Sequence, residues 1–139
     1  MFMAANSVLA GAVQILCFIA YAGEQGTNAE RIARSLKTNP VVVRRLLKLL
    51  ETSGLVNIHQ GRSGGVTLNR SPGDITLQDI HQAVEGESPL FAFRERGNPR
   101  CPVNQAMKDL LTPVFTAADV AVAGVLERAN LAALMDQIP

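Results

Sequence analysis

A chain of 139 residues with 47% apolar side chains can bury one core and is too short for two full domains. Its 4% aromatic content, without Trp, excludes a stacking platform for single strands or sugars, and two Cys exclude a disulfide framework or a four-thiolate metal site. The net charge of +1 hides an uneven split. Residues 1–70 carry eight Lys and Arg against three Asp and Glu, and residues 71–139 carry five against nine, so one half of the chain is suited to a polyanion.

The apolar run 8–22 (VLAGAVQILCFIAYA) reads as a core helix, with Asn6 or Ser7 as its cap and Gly23 as its terminator. A signal peptide fits less well. No Lys or Arg precedes the run, Gln14 interrupts it, and its fifteen residues fall short of the roughly 20 that span a bilayer. The expected location is the cytoplasm.

Thr27-Asn28-Ala29-Glu30 has the pattern of a capping box and opens a helix that ends near Thr38. Asn39 and Pro40 suit the cap and first turn of the next helix, which runs to about Ser53 before Gly54. Val43, Leu46, Leu47 and Leu50 form its core-facing stripe, and Arg44, Arg45 and Lys48 fall outside it. Residues 55–59 and 66–69 read as strands around a Gly-rich turn, Gly61-Arg62-Ser63-Gly64-Gly65. Thr76 to Asp79 looks like another capping box, on a helix ending at Gly86.

Residues 87–100 read as a loop, and 102 to about 135 as helical again. There Val103, Met107, Leu110, Val114, Ala118, Ala121, Val125 and Ala129 step by three or four. Pro113 should either start a new helix, capped by Thr112, or kink a longer one. A continuous helix from 102 would approach about 40 Å. That is long beside a radius of gyration of about 14 Å for a compact chain of this size. The rod should project and bury its stripe against a second copy, and small Ala118, Ala121 and Ala129 permit close approach. The competing reading folds the rod back onto 8–22 as an internal core helix.

Two short helices, a tight turn and a β-hairpin make a winged helix-turn-helix. The fold class is mainly α with a small β-hairpin and a long C-terminal dimerisation helix. Residues 1–86 form the DNA-binding domain, with 8–22 also packing on the C-terminal helix; 87–101 form a sensor or linker loop, and 102–139 the dimerisation helix and tail. Arg44 and Lys48 share a face, with Arg45 beside it, and this face suits the major groove, where Arg donates twice to guanine. Thr38, Asn39 and Val41 lie near the groove edge. His59, Gln60, Arg62 and Ser63 of the hairpin suit phosphates or a narrow minor groove. A two-fold dimer should read an inverted repeat in double-stranded DNA.

Gly54-Leu55-Val56, the wing end Gly64-Gly65-Val66-Thr67-Leu68, and the stretch Asp74-Ile75-Thr76-Leu77 through Ala83-Val84-Glu85-Gly86 resemble the Rrf-type winged-helix regulators. This bacterial family includes the iron–sulfur cluster assembly, nitric-oxide-sensing and cysteine-metabolism repressors. The resemblance covers nearly the whole chain. It implies a dimeric transcription factor, usually a repressor, that meets DNA through 39–53 and 59–65. Cluster-binding members carry three Cys between wing and long helix, whereas 87–103 holds only Cys101, so no iron–sulfur cofactor is expected. Gln60 stands where many members have Arg, and Val66 where an aromatic is usual.

Pro102 at a first helical position makes Cys101 a cap, where free N–H groups, the helix dipole and Arg100 favour a thiolate and hence redox sensing. An ordinary loop cysteine is the bland alternative. Cys17 sits in an apolar helix, where a buried inert thiol is expected, and a Cys17–Cys101 disulfide stays open. His59 and His81 have no metal-ligand spacing, and no metal site is expected. No nucleophile elbow or phosphate loop appears, so no enzyme is expected. A different class remains: a winged-helix module whose basic face meets an acidic protein.

Overall fold

The computed structural model describes residues 7–62 and 64–139. Six α-helices and one antiparallel hairpin follow in the order α1 (Ser7–Ala22), α2 (Ala29–Leu36), α3 (Pro40–Thr52), β1 (Val56–His59), β2 (Gly65–Leu68), α4 (Leu77–Glu85), α5 (Pro102–Glu127) and α6 (Leu131–Met135). Asn6 and Ser63 lie outside the described residues, so neither the cap expected at Asn6 nor the Ser63 contact is placed.

Local chemistry sets each boundary. Thr27 does not cap α2. Asn28 does, its side chain accepting from the Arg31 N–H at 2.9 Å. Thr27 is instead drawn into the sheet, its backbone bonding to Val66 in both directions at 3.3 and 2.7 Å. α2 ends on Lys37, which takes a left-handed φ of 52° and turns the chain within three residues into α3. Asn39 then caps α3 by accepting from the Val41 N–H at 2.8 Å, with Pro40 at the first position.

The core is built where the apolar stripes of α1, α2 and α3 meet. Ala12, Ile15, Leu16 and Ile19 of α1, Ile32 and Ala33 of α2, and Val43, Leu46, Leu47 and Leu50 of α3 are all buried. Ile80 of α4 and Leu131 of α6 complete the same cluster. Apolar burial on this scale is what stabilises so small a domain. Thr76 and Asp79 form a complete capping box at the start of α4, with two 3.0 Å bonds.

α5 runs unbroken through Pro113 for 26 residues, about 39 Å. It leans on α4 and buries none of its own residues within the chain. The helical pattern breaks at Arg128–Asn130, which removes Ala129 from the rod. α6 then folds back: Leu77 N–H donates to Ala129 O and Leu131 N–H to Ile75 O, both at 2.9 Å. Within the segment expected to be helical from 102 to about 135, residues 8–22 pack on α6. α1 meets α4 and the short α6, while the long helix takes its support from α4.

The loop from 87 to 101 is strapped along α5. Leu90 N–H donates to Asp119 Oδ1 at 3.2 Å, and Phe91 and Phe115 approach with ring centroids 5.7 Å apart. Nearer the helix start, Lys108 lies 4.0 Å from Glu95 and Asn104 Nδ2 donates to Asn98 O at 2.9 Å.

Candidate nucleic-acid interface

The outer face of α3 follows from its inner one. With Val43, Leu46, Leu47 and Leu50 committed to the core, Val41, Arg44, Arg45 and Lys48 are left exposed. Val41 is 65% exposed at the first turn, an apolar side chain of the kind that contacts a thymine methyl in the major groove. Thr38 and Asn39 are exposed just before it.

The cations on this face are not equivalent. Arg44 is ion-paired and hydrogen-bonded to Glu30 of α2. Lys48 Nζ donates to Glu51 Oε1 at 3.0 Å, one turn along. Arg45 stands apart from both: it lines a hollow with Gly11 and Gln14 of α1 and Thr38 of the α2–α3 turn. Arg44 and Lys48 thus share the outward face, and Arg45 borders its α1 side.

The hairpin holds the other candidates. Its register pairs Val56 with Leu68, Asn57 with Thr67, Ile58 with Val66 and His59 with Gly65. His59 Nε2 lies 3.4 Å from Thr67 Oγ1, and Gln60 and Arg62 are exposed on the turn. Glycine is required at its base. A Cβ on Gly64 would come within 2.5 Å of His59 O, and one on Gly65 within 2.7 Å of Thr27 O. The second contact is the close approach that lets the Thr27 backbone join the sheet. Asn69 fixes the other end of the wing, accepting from Asn57 Nδ2 and donating to Gly54 O, both at 3.0 Å.

Arg31 was not among the sequence candidates. It stands on the first turn of α2 and borders, with His59 and Arg62, a cleft between that helix and the wing. The Thr27–Val66 bridge ties these elements together, and nothing in the local sequence announces it.

The two thiols sit in different settings. Cys17 is half-buried against the core, and burial pushes its thiol above the usual value of 9.0. Cys101 is half-buried at the N-cap of α5, and its side chain makes no cap hydrogen bond. Both are unpaired thiols.

A family model described as "Rrf2: Iron-dependent Transcriptional regulator" matches residues 5–137. A Bacillus subtilis (strain 168) protein named as an HTH-type transcriptional regulator, YwnA, is 35% identical over 133 residues, covering 96% of this chain and 98% of that one. The solved structure of CymR (YrzC), named as the global cysteine regulator of B. subtilis, superposes with a TM-score of 0.70 at 24% identity and full coverage of both chains. The structure of IscR from T. potens superposes with a TM-score of 0.71 at 22% identity, covering 100% of this chain and 93% of that one. These likenesses bear out the mainly helical winged-helix architecture with its long C-terminal helix.

The family's description names iron. Among the described residues no three His, Cys, Asp or Glu side chains are grouped to hold a metal ion, and Cys101 is the single thiol between wing and α5. A centre held by three thiolates does not fit these residues.

Proposed function

The chain belongs to the Rrf2 family of transcriptional regulators, and from that premise we propose that it is a homodimeric repressor reading an inverted-repeat operator without a metal cofactor. It acts on chromosomal DNA in the bacterial cytoplasm. One observation carries the reading. The unburied apolar side of α5 lies on the same chain as a wing and recognition helix whose cations face outward. Val103, Leu110, Val114 and Val125 of that helix are each about 60% exposed. A second copy related by a two-fold axis covers such a stripe and presents two recognition helices together.

α3 enters the major groove with Val41, Arg44 and Lys48, and Arg45, Thr38 and Asn39 border it. Gln60 and Arg62 reach the backbone or the adjacent minor groove. Two helical stretches, Val8–Gln25 and Pro102–Glu127, have the length and hydropathy of a membrane span. α1 spends its apolar side chains on the core, and α5 carries Lys108, Asp109 and Asp119. Covering by a second copy suits that mixed surface better than lipid.

Redox response at Cys101 belongs to the same reading. Its support is position: the thiol ends the strapped loop and begins the helix that spaces the two heads. Peroxide should lower operator affinity in the wild type and leave Cys101→Ser unaffected. An equal peroxide effect in both removes the thiol from the mechanism.

The deciding experiment titrates the purified protein with genomic and random duplex DNA over a series of salt concentrations. A steep linear fall of log affinity against log salt, with selection of inverted-repeat fragments, is the expected result. No binding at low salt would turn the reading towards an acidic protein partner.

A further inference from the structure

We propose that Arg31 is a further DNA-contacting residue, which takes one backbone phosphate in the cleft between the wing and the first turn of α2. The proposal rests on the DNA-binding reading above. Asn28 and Arg31 border the cleft from α2, and His59 and Arg62 border it from the hairpin. Glu24 is the lone carboxylate among its described lining residues.

Three features make the cleft a built site. First, its width is fixed. The Thr27–Val66 bridge ties the two sides with bonds of 3.3 and 2.7 Å, and Gly65 closes on Thr27 O where any side chain would collide. Second, its arginines are open. Among the described residues Arg44, Lys48, Arg70 and Lys108 each lie within ion-pair reach of a carboxylate, whereas Arg31 and Arg62 do not. Third, Thr27 lines the cleft, and among the described residues its buried hydroxyl has no hydrogen-bond partner.

The docking geometry supplies the phosphate. With α3 in the major groove and the wing at the neighbouring minor groove, the strand between them passes the first helix of the pair. That helix is α2, and the side it turns to the wing bears Arg31. An arginine fork suits phosphate oxygens better than a point charge does. The contact carries no sequence information, because every nucleotide presents the same phosphate.

The test measures affinity for several unrelated 30-bp duplexes across a salt series, for wild type, Arg31→Ala, Arg31→Lys and Arg34→Ala. Arg31→Ala should weaken binding to every duplex by a similar factor, about three- to tenfold, and reduce the log–log salt slope by about 0.9. Arg31→Lys should restore most of the slope. Arg34→Ala, on α2 but away from the cleft, should leave it unchanged. A wild-type slope in Arg31→Ala overturns the contact, as does an equal loss in Arg34→Ala, which would indicate only the general field. A loss confined to particular sequences also overturns it, since that would mark a base contact. Wild-type protein that binds no DNA at low salt overturns the underlying reading instead, so the two failures are separable.

Discussion

Glu30, in the first turn of α2, holds the guanidinium of Arg44 on the outward face of α3. The two helices α2 and α3 are therefore joined by charge on the face proposed to meet DNA. Both side chains are more than half exposed, so the pair adds little to stability. Its expected effect is on recognition, because a phosphate or guanine that takes Arg44 must displace a carboxylate. Glu30→Gln should raise affinity for random duplex DNA several-fold, steepen the salt slope by about 0.9, and narrow the gap between operator and random sequence. Fluorescence anisotropy on both duplexes at three salt concentrations checks this. An unchanged slope means that Arg44 does not meet phosphate.

The same pair has a pH signature. The hydrogen bond from its own backbone amide, then that from Arg44, lowers the Glu30 carboxyl below its usual 4.5. A group whose folded value is depressed contributes fully above the unfolded value and loses that contribution as pH falls through the folded one. The tie should thus be intact from neutral pH down to about 4.5 and open only below it. An NMR titration of the Glu30 carboxyl carbon should show a midpoint below 4.5 that moves upward in Arg44→Ala. A midpoint at or above 4.5 would contradict the pairing.

Gly65 sits where the wing touches the body. Adding one methyl there drives it to 2.7 Å from Thr27 O and forces the Thr27–Val66 bridge apart. Gly65→Ala should cost about 1–3 kcal/mol, the usual penalty for overpacking a fixed backbone. Gly73→Ala, with open space around it, should cost much less. Chemical unfolding of both variants gives the comparison. Equal stabilities would mean that the wing is not clamped through Thr27.

Cys17 should behave as an inert thiol. Its raised value means that the neutral form is favoured in the folded chain, so its stabilising effect is present below pH 9.0 and lost as pH rises through the folded value. At pH 8, brief treatment with iodoacetamide followed by mass spectrometry should label Cys17 at least tenfold more slowly in the native protein than in urea. Similar rates would show that α1 opens far more readily than its packing suggests.

Much of this was legible in the sequence, and for a physical reason: the elements whose ends are chemically marked were placed well. Asn39-Pro40, Thr76 with Asp79, and Gly54 and Gly86 each satisfy a helix end through their own side chain or backbone freedom, so local sequence specifies them. Thr27 was misassigned because two neighbouring residues could each cap α2, and a contact 39 positions away decided between them. Lys37 carried no signal at all, since the left-handed turn it makes is ordinarily given to Gly or Asn. For the candidate interface, the face of α3 follows from its apolar stripe. The division of its cations, with Arg44 tied to Glu30 and Arg45 turned to α1, depends on helix crossing, which periodicity does not encode. Arg31 escaped notice because the Thr27–Val66 bridge that sets α2 beside the wing is a contact between distant positions.

The long helix offers the sharpest test of assembly. Val114 lies midway along α5, 60% exposed, on the stripe that includes Val103, Leu110 and Val125. As a free surface, Val114→Asp should change the stability of one subunit by no more than about 0.5 kcal/mol. At the centre of a two-fold seam it would place two carboxylates against apolar side chains without a partner, which costs far more. Sedimentation should therefore show wild type as a dimer at micromolar concentration and Val114→Asp as a monomer with an unaltered helical spectrum. Because two heads bind one inverted repeat with a high effective concentration, the variant should lose about a hundredfold in affinity for the full repeat and little for a half-site. A Val114→Asp protein that stays dimeric would move the seam off this face of α5.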